Sequence, residues 1–142
     1  MVQLLQKYKS MFSSIKTSKG NKDVVTNLTR KFGLGAENVI ARIALTYSMG
    51  SGHKLKISDV KDSGGKEYSK KILFGNYYSI YEAMICTLYN IKSSDKDIPK
   101  YFKLHLDDGL EMIASDVKVN PNLIGFDYLV YKIKGGLNKI WM

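Results

Sequence analysis

Two helical repeats held apart by a glycine stop, within NKDVVTNLTRKFGLGAENVIARIALTYSM (residues 21–49), constrain this chain more than any other stretch. In the first repeat Val24, Leu28 and Phe32 recur every four residues with Val25 beside them, which lays an apolar stripe along one face of a short helix. Asn21 or Asp23 can cap its start. Gly33 stands just past Phe32, where a left-handed C-cap residue is needed, and Gly35 follows, so the chain turns before a second helix begins near Ala36. Ala36, Val39, Ile40, Ile43, Ala44 and Tyr47 keep helical spacing, Glu37 suits the first turn, and Gly50 and Gly52 end the pattern. The expected product is a tight two-helix unit.

Positive charge gathers where these helices start: Lys16, Lys19, Lys22, Arg30 and Lys31 face a single acid, Asp23. A short strand-like run, Met11 to Thr17, precedes them. A strand followed by two helices over residues 11–50 has the layout of a ribbon-helix-helix DNA-binding unit, whose strand is too short to stand alone and pairs with a second chain. The plainer reading of the same residues is a helical hairpin with a solvated basic face.

At 142 residues and 16.1 kDa the chain is expected to fold as one domain with one core. No apolar run approaches the roughly 20 residues of a membrane span. The N-terminal MVQLLQKYKSMF lacks the apolar core of a secretory signal, and the lone Cys86 excludes an intramolecular disulfide framework, so a soluble cytoplasmic protein is expected. The net charge of +9 favours a polyanionic partner. It is unevenly spread: residues 1–35 hold seven basic side chains and one acidic, whereas residues 76–117 hold four basic and seven acidic. That division suggests either two contact surfaces or one surface that attracts another copy of the chain.

Along the rest of the chain, Val2 to Lys9 fits two helical turns or a frayed end. Leu55 and Ile57 alternate with Lys54, Lys56 and Ser58, the pattern of a short edge strand. Gly64 and Gly65, flanked by Lys61, Lys66, Lys70 and Lys71, offer either a phosphate contact or an ordinary surface loop; the Walker spacing is absent. Tyr77 to Ile91 is the most apolar segment and reads as the core helix of a helical region spanning residues 76–117. Its tyrosines, Tyr77, Tyr78, Tyr81 and Tyr89, suit core packing better than base stacking, and Cys86 reads as an inert buried thiol. A long amphipathic helix follows, capped by Ser94 or Asp95, with Pro99 in its first turn and Ile98, Phe102, Leu106, Leu110 and Ile113 as its stripe to about Ser115. On it, His105, Asp107, Asp108 and Glu111 form the one cluster resembling a metal or acid–base site, although a docking face for a basic partner accounts for it better. Residues 118–142 form a tail in which Leu129, Val130 and Ile133 need burial and Trp141 packs on the core or on a neighbouring subunit.

Three blocks in order, RKFGLGAENVIARIAL, GGKEYSKKILFGNY and YFKLHLDDGLEMI, resemble the DndE family of DNA sulfur modification proteins, from Arg30 to Ile113. The tail beyond Val117 lies outside the resemblance. It implies a mainly α fold of ribbon-helix-helix type with one or two short strands, and an accessory subunit of the bacterial phosphorothioation system. Such subunits are not the sulfur-transferring enzyme; the chemistry is associated with a cysteine desulfurase, an iron–sulfur protein and an ATPase. The resemblance further implies a tetramer that binds DNA, with a preference for nicked duplex; from the residues, no cofactor or metal is expected. On this reading Lys16, Lys19, Lys22, Arg30 and Lys31 contact phosphates, with Lys66, Lys70 and Lys71 as a second patch. The competing reading is a scaffold that docks the ATPase or iron–sulfur enzyme through Asp107, Asp108 and Glu111, and a third is a nuclease built on His105 and its carboxylates.

Overall fold

The computed structural model describes residues 12–141, so the expected N-terminal turns from Val2 to Lys9 lie outside the described residues. Strand β1 (Ser14–Lys16) leads into helices α1 (Lys19–Phe32) and α2 (Glu37–Gly50). Strand β2 (Glu67–Ser69) and the short α3 (Lys70–Phe74) follow, then α4 (Tyr78–Tyr89), α5 (Ile98–Val119) and α6 (Gly125–Trp141). The fold is mainly helical with one two-stranded sheet.

Helix α1 buries Leu28 and Phe32 of the expected stripe, with Val25 and Asn21 rather than Val24, which is half-buried. Gly33 ends it at φ 63°, donating its amide to the Thr29 carbonyl at 3.2 Å. This is the left-handed cap that a residue with a Cβ takes only under strain. The start differs from expectation: Ser18 is the N-cap, and the caps come from distant carboxylates rather than from Asn21 or Asp23.

The core is centred on α5 packed along α2. Ile98, Phe102, Leu106, Leu110 and Ile113 are buried as their spacing requires, each contributing roughly 1.5–3 kcal/mol of transfer free energy before entropy is charged against it. The two backbones touch at Gly109, where an added Cβ would lie 1.8 Å from the Ala44 carbonyl oxygen. Tyr77 to Ile91 is therefore not the core helix. On α4 only Tyr81 and Ile85 are buried and Ile80 is 57% exposed, because its apolar residues encircle the helix while one flank alone meets the body.

The ribbon also departs from expectation. β1 pairs with β2 of its own chain, antiparallel, with Ile15 opposite Tyr68 facing inward and Lys16 opposite Glu67 facing out. No second chain is needed to complete this ladder. The Leu55–Ile57 segment makes no strand: the Leu55 amide goes to the Tyr89 hydroxyl at 2.9 Å, and Ile57–Asp59 winds into a single 3-10 turn. Period-two alternation fits a coil with one apolar side as well as it fits an edge strand.

The tail packs on the core only at its start. Tyr128 is buried against Phe32, ring centroids 5.2 Å apart, and its hydroxyl donates to Asp116 at 2.7 Å. Lys132 donates to the Tyr47 hydroxyl at 2.7 Å and pairs with Asp116 at 3.0 Å. Leu129 is half-buried, but Val130 and Ile133 stay exposed. The Trp141 side chain lies outside the described residues.

Candidate nucleic-acid interface

The basic surface begins at the foot of α1, where the backbone is fixed by two carboxylates. Asp107 Oδ1 accepts from the Ser18 amide at 3.0 Å and from Asn21 Nδ2 at 2.8 Å, and Asp62 Oδ2 accepts from the Lys19 amide at 2.9 Å. These bonds satisfy donors that a helix N-terminus otherwise leaves open. The Lys19 and Gly64 amides hold the Asp62 carboxyl below its ordinary range. Beside them Lys103, buried, donates to the carbonyls of Lys16 and Asp62 at 2.6 and 2.8 Å and pairs with Asp107 at 3.4 Å. Lys103 thus ties β1, the 62–64 loop and α5 together.

Outside this clamp, Lys16, Lys19, Lys22, Arg30 and Lys31 are all exposed. At about 100° per residue, Lys19 and Arg30 share the helix face opposite the buried stripe, and Lys22 and Lys31 stand on its two flanks. Asp23 lies on the same outward face. Arg30 donates to Asn27 Oδ1 at 2.7 Å, a local bond that leaves it on the surface.

The ribbon brings the second patch against the first. The Thr17 amide donates to the Lys66 carbonyl at 2.8 Å and the Lys70 amide to the Ser13 carbonyl at 2.9 Å, so the 66–71 segment runs alongside Lys16. Its three lysines are not equivalent. Lys66 pairs with Glu37 at 3.5 Å. Lys70 sits 3.8 Å from the Tyr78 ring centroid and 4.9 Å from that of Phe12, a cation–π arrangement whose desolvation lowers its pKa against the opposing pull of Glu82. Lys71 is exposed. A depression of about 210 Å³ bordered by Ser14, Lys16, Ser63, Lys100 and Lys103 lies next to the ribbon. Lys100, 3.5 Å from Asp97, extends the basic rim; a reading that divided the chain into a basic front and an acidic middle passed over it.

Gly64 and Gly65 do not form a phosphate cradle. Neither takes a positive φ, and their amides are spent on Asp62 Oδ2 and the Thr17 carbonyl, each at 3.0 Å. An added Cβ on Gly65 would meet Thr17 Oγ1 at 2.1 Å, so close approach to β1 explains the glycine.

The acidic cluster on α5 is also corrected. Asp107 is buried and serves the α1 cap, so it offers no carboxylate to a partner. Glu111 is exposed and paired with Lys61, which raises the Lys61 pKa. Asp108 and His105 belong to a hydrogen-bond chain. The Leu55 amide donates to the Tyr89 hydroxyl, Tyr89 meets His105 Nε2 at 2.6 Å, His105 Nδ1 meets the Ser48 hydroxyl at 2.7 Å, and Ser48 donates to Asp108 Oδ2 at 2.7 Å. One set of protons satisfies every member, with Nδ1 protonated and Nε2 accepting. Burial lowers the His105 pKa to about 4. Serine lies between the histidine and the acid, and Tyr89 covers the other ring nitrogen, so the order is not that of an activated nucleophile. His53 closes the chain from outside, 3.0 Å from Asp108 Oδ2. Among the described residues no group of three or more His, Cys, Asp or Glu side chains is arranged to hold a metal ion, and no helix is long and apolar enough to cross a membrane.

A crystal structure of DndE from Escherichia coli B7A, involved in DNA phosphorothioation modification, is similar in fold, with a TM-score of 0.58 and 20% identity over 72% of this chain and 97% of that one. The structure of a glycine-to-lysine DndE mutant involved in DNA phosphorothioation matches with the same TM-score of 0.58 and identity of 20%. No curated protein matches the sequence. The family model described as DNA sulphur modification protein DndE matches residues 14–121, from the first residue of β1 to just past α5. Since that match takes in the ribbon, the clamp at the foot of α1 and the whole α2–α5 core, the chain belongs to the DndE family of DNA sulphur modification proteins.

Proposed function

We propose that this protein is a non-catalytic DNA-holding subunit of the phosphorothioation machinery, gripping the duplex backbone, intact or nicked, through one basic surface repeated in a tetramer. The observation that carries this reading is the ribbon, whose pairing sets Lys16 beside the 66–71 segment at the foot of the helix that presents Lys19, Lys22 and Arg30. Flexible cations fixed to a rigid strand and helix neutralise phosphates and position the duplex without reading bases. Four copies would multiply the +9 of each chain into a strong, salt-sensitive field. The ATPase and iron–sulfur enzyme of the system would then act on DNA held in place in the cytoplasm.

The alternative, docking of those enzymes on the acidic face of α5, has less to work with. Asp107 is buried, Asp108 is bonded to Ser48 and His53, and Glu111 is paired with Lys61. A partner would have to displace those bonds. Replacing Lys19 and Lys22 together with Glu tests the choice: the DNA reading expects at least about a tenfold loss of duplex affinity at low salt and a shallower salt dependence. Unchanged affinity in that variant, with loss of a protein complex on changing Asp108 and Glu111, would establish the docking reading instead.

A further inference from the structure

We propose that α6 is a self-association helix, pairing antiparallel with α6 of a second copy. Phe126, Val130, Ile133, Leu137 and Ile140 follow one another at steps of four, three, four and three residues, the seam spacing of a coiled coil rather than of a helix lying on a globular core. All five are exposed, Phe126 by 75%, Ile133 by 62% and Ile140 by 77%. The helix is held from its other side, where Tyr128 is buried and Lys132 reaches Tyr47 and Asp116. The seam therefore points away from the body that carries it. It also lies beyond residues 14–121, the span shared with the DndE family.

The flanking charges identify the occupant and its direction. Asp127 and Lys134 occupy equivalent positions along one edge of the seam, one heptad apart. In a parallel pair they would meet the opposite edge, which carries Leu129 and Gly136. In an antiparallel pair like edges meet, and the two-fold axis sets Asp127 beside Lys134 of the second copy, twice. The same axis pairs Val130 with Ile133 and Phe126 with Leu137. The seam is self-complementary in both shape and charge.

Mass by light scattering in the absence of DNA tests this independently of the proposed function. Ile133→Glu, at an exposed position, should lower the mass of the full chain at least twofold while its circular dichroism is unchanged. Asp127→Lys should weaken association, and adding Lys134→Asp should restore it. In a Cys86→Ser background, Phe126→Cys protein mixed with Leu137→Cys protein should form a disulfide-linked dimer, whereas Phe126→Cys alone should not, its two copies lying about 16 Å apart along the axis. Unchanged mass in Ile133→Glu, or cross-linking of Phe126→Cys with itself, would overturn the proposal.

Discussion

His105 is fully buried between Ser48 and Tyr89, and that position makes folding sensitive to acid. Its cation would lose water without gaining an acceptor, so the pKa falls from 6.5 to about 4 even though Asp108 pulls the other way. The unfolded chain takes up a proton near pH 6.5 that the folded chain refuses. Stability is therefore full above that pH and declines as the pH falls, levelling off below about 4; the total cost is about 3 kcal/mol. An NMR titration reads this directly: the His105 ring should remain neutral down to about pH 4. Titration of His105 near 6.5 would mean that the buried chain of bonds does not form. The same residue shows the limit of spacing arguments. His105, Asp108 and Glu111 do share a face, as three-residue steps require, but nothing in those steps says that the first half of the face meets Ser48 of another helix. Asp107 was misread for the same reason, its cap on α1 being 89 residues away from the amide it serves.

Between elements, the governing contact is the crossing of α2 and α5 at Gly109. Its Cβ would fall 1.8 Å from Ala44 O and 2.4 Å from Ala44 C, backbone atoms that cannot swing aside. Gly109→Ala must push the two main helices apart and should cost at least about 3 kcal/mol in urea unfolding; a loss under about 1 kcal/mol would contradict the close packing. Boundaries that depend on neighbours in sequence were legible, Gly33 closing α1 and Ala36 preceding α2, whereas α1 is capped at Ser18 rather than at Asn21 or Asp23, and α5 starts after Asp97 rather than Ser94 or Asp95 and runs on to Val119. The strand partner was not legible. Glu67–Ser69 is three residues long, carries one inward side chain, and becomes a strand only because β1 lies beside it. The apolar richness of α4 misled for a related reason, since composition counts residues all around a helix and burial counts one side.

Over the whole molecule, two surfaces stand apart. The basic one joins β1, the 66–71 segment and the outer face of α1; the apolar one runs along α6 on a part of the chain that the family match does not reach. The lysines proposed for DNA were each visible in the sequence as charges, and what the sequence lacked was the fold that puts Lys16 next to Lys66 and commits Lys103 to the interior. If α6 joins two copies, it also joins two basic surfaces, and DNA affinity should rise more steeply than the surface of one chain allows. The most direct test of the DNA-holding account is binding of purified protein to labelled intact, nicked and unrelated-sequence duplexes across a salt series, with mass measured by light scattering in the same buffers. The account predicts an oligomer that binds every duplex with little regard to sequence and loses affinity steeply as salt rises. Absence of binding at low salt would contradict it and assign the basic surface to protein partners.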